Sequence, residues 1–505
     1  MSLKLPIGIQ DFSELRTGNF VYIDKTELLY PLLTEAKTYF LSRPRRFGKS
    51  LLISTLRYLF EGRKDLFEGL WIENKWDWNE KYPVIRLSFD AISHKELGLR
   101  LALLKEVNRI ASDFGIELMA TEPAESFREL IRSITEKQGK VVILIDEYDR
   151  PIIDFLGLDE LPKAEANRAI LKSFFSILKS EDINIRFLFL TGISKFSKVT
   201  IFSDLNHLRD LSIESQFNDL CGYTQAEIDY NFAPLLAEMP PNTREKMREW
   251  YNGYSWNGRS FVYNPFSVLN FFASKEYHNF WFSTGTPTFL VKRLNKDFQY
   301  QLDGLEVDIH VLEAYELDTL EPIPILFQTG YLTIKEKTAF DTVVLKYPNR
   351  EVQQSLIRML LAEFTHQTSV LPRIGQLTRS LNNNDISKTV ELLHGLFKSI
   401  PNQIFIAHRE AYFHSVIYLT FVLLGIYIQA EVNSSDGRLD ALVHTPERIF
   451  IFEFKLNESA KAALQQIINK DYAAAYRHLN KEIVGIGIKF SEIEKGIEAW
   501  ESAVV

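Results

Sequence analysis

"SRPRRFGKSLL", residues 42–52, decides how the N-terminal half of this chain is read. Phosphate-binding loops follow G-x-x-x-x-G-K-[ST]; Gly48, Lys49 and Ser50 fit, while Arg43 stands where the first glycine belongs. "TYFLS" (38–42) reads as a strand before the loop, and "SLLISTLRYLFEG" (50–62) as a helix after it. That order aims backbone N–H groups and a helix N-terminus at phosphate oxygens. Lys49 would reach the β- and γ-phosphates, Ser50 would ligate Mg²⁺, and Phe47 belongs to the same loop. Where the backbone needs positive φ an arginine is unfavourable, so Arg43 predicts an altered loop entry. Arg43, Arg45 and Arg46 would add positive charge beside the phosphates. The competing reading is a solvated basic turn with a chance GKS.

A second element answers the loop. "VVILIDEYD" (141–149) puts Asp146 and Glu147 at the end of an apolar strand. A phosphate-loop site needs one acid there to hold Mg²⁺ and a neighbour to orient the attacking water, the roles expected of Asp146 and Glu147. Thr191 ends the next apolar run, "IRFLFLTG" (185–192), where it could sense a γ-phosphate or merely satisfy a strand end. Arg209 is one of several candidates for a phosphate-contacting arginine. With "PVIRLSFD" (83–90), these near-continuous apolar runs separated by helical segments predict a parallel α/β sheet covered on both faces.

From about 215 to 400 the chain reads as mostly helical. The exception is "GYLTIKEKTAFDTVVLKYPN", a hairpin leading to a helix near Arg350. The last hundred residues change pattern. A helix (about 408–424) precedes the strands "YIQAEVN", "RLDALVH" and "RIFIFEFKL"; an alanine-rich helix and a strand, "EIVGIGIKF", follow. A turn between Pro446 and Glu447 sets Asp440 opposite Glu453, and directly opposed residues project from one face. Strand alternation adds Lys455 to that face and turns Phe450, Phe452 and Phe454 away from it. Two carboxylates and an ammonium together suit a Mg²⁺ site that activates water, with lysine stabilising charge on a phosphate. An exposed cross-strand ion pair is the bland alternative.

Composition narrows the classes. A 46% hydrophobic, 25% charged chain of 505 residues predicts several ordinary globular domains. A net charge of −8 argues against a general polyanion binder, and residues 408–505 hold ten Lys+Arg against thirteen Asp+Glu. The single cysteine, Cys221, agrees with a reducing cytoplasm. The opening "MSLKLPIGIQDF" does not read as a signal peptide. "VIYLTFVLLGIYI" (416–428) is shorter than the ~18–20 residues of a spanning helix. It reads as a buried helix entering a strand, so no membrane association is expected.

"LPIGIQDFSELRTGNFVYIDKTELLYPLL", "SRPRRFGKSLL" and "LIDEYDRPI" together resemble the predicted AAA-ATPase-like proteins that carry a C-terminal nuclease-like domain. "WYNGYSW", "VYNPFSVLNFF" and "YPNREV" extend the resemblance over nearly the whole chain. RPRRFGKS is that family's form of the loop, so Arg43 is a family variant. The C-terminal pattern resembles the PD-(D/E)xK nuclease superfamily, with Asp440, Glu453 and Lys455 at its motif positions. Leu439 stands where that motif usually has proline. Glu410, Gln466 and Lys470 fall where members carry further polar residues, and surface placement is the alternative for Gln466 and Lys470.

The expected architecture is an AAA-like P-loop domain (1–215), a mostly helical lid with a winged-helix-like region (216–400) and an αβββαβ nuclease-like domain (401–505). The expected function is an ATP- and Mg²⁺-dependent protein controlling cleavage of nucleic acid, DNA foremost. A ring or dimer would fit AAA-type sites, which often lie between subunits. Two alternatives stay open: an ATP-switched regulator that binds without cutting, and a small-molecule NTPase with a structural C-terminal domain.

Overall fold

The computed structural model describes residues 3–157, 159–195, 207–281, 291, 294, 302–313, 321–365, 370–398, 409–425, 429–435, 438–491 and 496–505. At 313, 409–412, 414, 429–435 and 438–440 it describes the backbone alone. Strands β1 (Thr38–Ser42), β2 (Val84–Ser88), β3 (Val141–Asp146) and β4 (Ile185–Gly192) form where the apolar runs predict them. Among the described residues they make, with the two-residue β5 (Arg209–Asp210), a five-stranded parallel sheet in the order β2-β3-β4-β1-β5. β5 has too few residues to show a pattern. Every position of β1 and β3 is buried, as a doubly covered parallel sheet requires. β4 therefore lies between the strand that feeds the loop and the strand that ends in Asp146.

The chain divides into two compact units, residues 1–289 with 302–352, and residues 290–301 with 353–505. The expected boundary near 215 is not a boundary of packing. Ile23 shares an apolar cluster with Ile228, Phe232, Tyr263 and Val268, so the segment after β5 belongs to the first unit. That unit also holds a three-stranded antiparallel sheet, β6 (Glu306–Asp308), β8 (Thr342–Lys346) and β7 (Thr333–Lys337) in that order. The β7–β8 hairpin was expected; the short, half-exposed β6 was not.

In the second unit β9 (Gln429–Ser435), β10 (Arg438–His444), β11 (Arg448–Lys455), β12 (Glu482–Phe490) and β13 (Ile497–Val504) form one sheet in the order β13-β12-β11-β10-β9. β11 and β12 run parallel and the other pairs antiparallel. β13 lies beyond the expected αβββαβ order; most of its residues are exposed, which leaves little hydrophobic signal. Helix Arg409–Gly425 buries Val416, Ile417, Leu419 and Leu423, and its Phe421 packs edge-on against Phe452 and Phe454. The apolar stretch at 416 is thus a core helix as far as Gly425; residues 426–428 lie outside the described ones. No helix among the described residues is long and apolar enough to cross a membrane.

Candidate functional site

The loop after β1 is shaped by two left-handed residues. Arg46 (φ 68°) and Gly48 (φ 88°) turn the chain into helix Lys49–Phe60, with Gly48 as its N-cap. Nothing lies within 4 Å of where a Cβ on Gly48 would stand, so the backbone faces open space at a helix N-terminus. Lys49 is buried, its Nζ donating to the carbonyls of Arg43 (2.9 Å) and Pro44 (3.0 Å). Ser50 is half-buried at the mouth of the cleft.

Arg43 does not stand beside this space. Its side chain is fully buried and donates to the carbonyls of Ser42 (2.9 Å), Ser212 (2.8 Å) and Phe217 (2.9 Å), with the guanidinium 3.9 Å from the centre of the Trp256 ring. Burial lowers its pKa to about 10, against the opposing pull of Cys221, Asp210 and Asp219. Two expectations are corrected here. Positive φ falls at Arg46, not at Arg43, and Arg43 ties the loop to the 212–217 segment instead of lending charge to phosphate. Phe47 likewise turns inward, packing edge-on against Tyr254 (4.7 Å) and Trp256 (5.6 Å). Arg45 and Arg46 line the cleft, Arg46 over the Phe266 ring.

Asp146 is buried and accepts from Thr191 Oγ1 at 2.5 Å. The hydroxyl at the end of β4 thus orients the acid at the end of β3, its neighbour in the sheet. Glu147 follows with φ 53° and lines the cleft; its carboxylate accepts from Arg150 at 3.0 Å. Arg150 also pairs with Asp90 and, at 3.6 Å, with Asp154. Although burial works against ionisation, His94, Lys95 and Arg150 hold Asp154 down at about 2. Asp149 is fully buried and accepts from the amides of Ile193 (3.0 Å) and Ser194 (2.7 Å), fastening the turn after β4. Burial raises it to about 6, with the Ser194 bonds opposing. Arg209 sits in β5 opposite Tyr39, engaged by Glu214 (2.9 Å) and Glu35 (2.9 Å), and does not line the cleft.

The cleft itself, about 410 Å³, contains more than the loop. The segment from Pro6 to Leu29 supplies much of its lining, with Ile9, Val21 and Tyr22 among the apolar residues beside Tyr223, Phe266 and Leu269. A cleft that joins apolar side chains to a phosphate-type loop suits a nucleotide, the flat base against the apolar residues and the phosphates at Gly48–Ser50. The sequence alone assigns no role to this segment, Asp90, Asp149 or Arg150. Only the run "DEYDR", four of whose five residues are charged, carried a local signal for the last two.

In the second unit the backbone sets Asp440 opposite Glu453, as the turn arithmetic predicts. The side chains of Asp440 and Glu410 lie outside the described residues. Glu453 is fully buried and Lys455 Nζ lies 3.0 Å from its Oε1, so the pair is no exposed surface bridge. Lys455 also donates to Gln466 Oε1 (2.9 Å), and Gln466 donates to Tyr472 Oη (3.2 Å). Gly487, the β12 residue beside Glu453, permits this closeness: a Cβ there would come within 2.3 Å of the Ala460 carbonyl. Helix Ala460–Asn469 can therefore lie on the sheet and bring Gln466 to Lys455. Lys470 stands 5.8 Å over the Tyr472 ring. Among the described residues, which do not include the Asp440 side chain, no three His, Cys, Asp or Glu side chains cluster to hold a metal. Hard carboxylate oxygens are nevertheless the donors that Mg²⁺ takes, and Glu453 and Asp146 supply them.

These features define a P-loop NTPase-type domain in one chain with a nuclease-type domain. Comparison with known proteins carries the class to a family. Residues 6–202 match the model described as predicted AAA-ATPase, and residues 408–500 match the PD-(D/E)XK nuclease superfamily. A relative from Azotobacter chroococcum mcd 1, described as an uncharacterized protein in the vnfD 5' region, is 40% identical over 511 residues, covering 98% of both chains. The chain belongs to this family of AAA-ATPase-like proteins with a C-terminal PD-(D/E)XK nuclease superfamily domain. Among solved structures, the Aeropyrum pernix ORC1 protein in complex with DNA is similar at 13% identity and a TM-score of 0.26, over 65% of this chain and 89% of that one.

Proposed function

We propose that the cleft binds and hydrolyses ATP, and that nucleotide state governs cleavage of nucleic acid phosphodiesters at the site of Asp440, Glu453 and Lys455. The observation that carries the reading is the second site's construction: opposed register positions 440 and 453, with Lys455 gripped between Glu453 and Gln466. In the cleft the loop amides and Lys49 take the β- and γ-phosphates, Lys49 turning from the carbonyls it now holds. Ser50 and Asp146 would hold Mg²⁺, Thr191 keeping Asp146 in place; Asp440 and Glu453 would hold it at the second site. Bound Mg²⁺ supplies positive charge for phosphate oxygens and lowers the pKa of water. Glu147 orients the attacking water once Arg150 releases it. Lys455 stabilises charge developing on the scissile phosphate.

The full burial of Glu453 favours a second reading, a non-cutting ATP-switched protein that uses this domain to bind nucleic acid or a protein partner. One experiment separates them: incubating the full chain with labelled single- and double-stranded DNA and RNA, with and without ATP and with Mg²⁺ or Mn²⁺. Metal-dependent cutting that Lys455→Ala abolishes supports the nuclease. Binding without cutting in every arm supports the regulator.

A further inference from the structure

The loop is held from behind as well as shaped from within. The Arg45 carbonyl accepts from the indole Nε1 of Trp281 at 3.1 Å. The backbone amide of Trp281 donates to Glu351 Oε1 at 2.7 Å, and Ser267 Oγ donates to Glu351 Oε2 at 2.8 Å. Glu351 is fully buried and lies in the first turn of helix Arg350–Thr365. Trp281 is itself nearly buried, with the Tyr331 ring edge-on at 5.2 Å. These residues come from stretches far apart in sequence, two of them within the runs "VYNPFSVL" and "YPNREV".

A buried carboxylate is costly unless it is well hydrogen-bonded, and an apolar group could fill the same space. Here its bonds end, through one tryptophan, on the phosphate loop. Lys49 occupies the carbonyls of residues 43 and 44, and Trp281 occupies the next one, at 45. A phosphate that drew Lys49 forward would release the carbonyls of Arg43 and Pro44, next to the peptide that Trp281 holds.

We propose that Trp281 and Glu351 are positioning residues for the phosphate loop, which set its nucleotide affinity and carry its occupancy to the start of helix Arg350–Thr365. The inference rests on the reading of the cleft as an ATP site. Trp281→Phe removes the indole N–H and keeps the ring. It should raise both the Kd and the KM for ATP about 2- to 10-fold, the size of one hydrogen bond, while kcat stays within about twofold. Glu351→Gln keeps an acceptor for the Trp281 amide and should fall between Trp281→Phe and the parent.

A spectroscopic readout does not depend on any variant's stability. In the full chain labelled with 5-fluorotryptophan, the ¹⁹F resonance assigned to Trp281 by its absence in Trp281→Phe should move on adding ATP. If Trp281→Phe does not fold, the resonances are assigned by replacing each of the other tryptophans in turn. A parent chain that takes up no ATP overturns the nucleotide reading and this inference with it. A parent that binds ATP while that resonance stays still, or a folded Trp281→Phe with parental Kd, overturns this inference alone.

Discussion

Lys49 Nζ rests 2.9 Å from the carbonyl oxygen of Arg43, so the loop's lysine is docked on the backbone of its most unusual residue. Lys49→Ala should weaken ATP binding about 10- to 100-fold, the range of charge-assisted hydrogen bonds, and should also cost about 1–3 kcal/mol of stability, because the carbonyls of Arg43 and Pro44 lose their buried donor. Calorimetric titration of the folded variant is the check, and a parental Kd would rule out the loop as the phosphate site.

Arg43 itself carries a different expectation. From the motif alone, restoring glycine there should preserve nucleotide binding. The buried guanidinium joins Ser42, Ser212 and Phe217 and stacks on Trp256, so Arg43→Gly should instead destabilise the protein by about 3 kcal/mol or more. Urea unfolding measures this; a midpoint equal to the parent's would contradict the burial.

Glu351 predicts a pH dependence. Burial raises its pKa to about 7 from 4.5, against the bonds from Trp281, Ser267 and Phe280; Tyr251 and Tyr254 lie within its electrostatic reach. Because the folded pKa exceeds the unfolded one, the folded state binds this proton more tightly. Its contribution is full below about pH 4.5 and lost as pH rises through about 7. Glu351→Gln removes that loss. The melting temperature of the variant should therefore fall less than the parent's between those two values.

At the second site, Mn²⁺ titrated into the full chain with ATP absent should report a site that Glu453→Gln and Asp440→Asn each weaken. Gln466→Leu frees Lys455 from one of its partners and should cost about tenfold in metal affinity, the lower end of what supporting residues contribute. If both carboxylate variants bind Mn²⁺ like the parent, the paired register has no role in holding metal.

Coupling between the sites is the fifth property to measure. Val352 and Gln353, consecutive in helix Arg350–Thr365, belong to different compact units, so this helix is a covalent route from one to the other. Glu147→Gln should keep ATP bound and slow its hydrolysis. In a Lys455→Ala background, ATP affinity should differ several-fold with and without nucleic acid, typical of a 1–3 kcal/mol coupling. Equal affinities, with cutting indifferent to Glu147→Gln, would mean that the domains work independently.

The elements legible in the sequence are those whose signal is local. β1, β3 and β4 are buried runs whose residues announce themselves, and Asp440 opposite Glu453 follows from counting outward from a tight turn. Strand alternation likewise separated Phe452 and Phe454, which meet Phe421, from Glu453 and Lys455. β5, β6 and β13 escaped because two are very short and the third is mostly exposed.

By itself, then, the sequence determined the parallel sheet, the loop and acid that its strand ends carry, and the hairpin register of the second site. Tertiary structure alone decided that Arg43 faces inward, that Pro6–Leu29 lines the cleft, that Arg150 grips Glu147, and that Trp281 reaches Arg45. The difference is physical. Strands and turns are set by periodicity and backbone geometry over a few residues. A side chain's direction at a loop is set by which buried carbonyls and rings need a partner, and here those partners lie from 1 to more than 200 residues away in sequence.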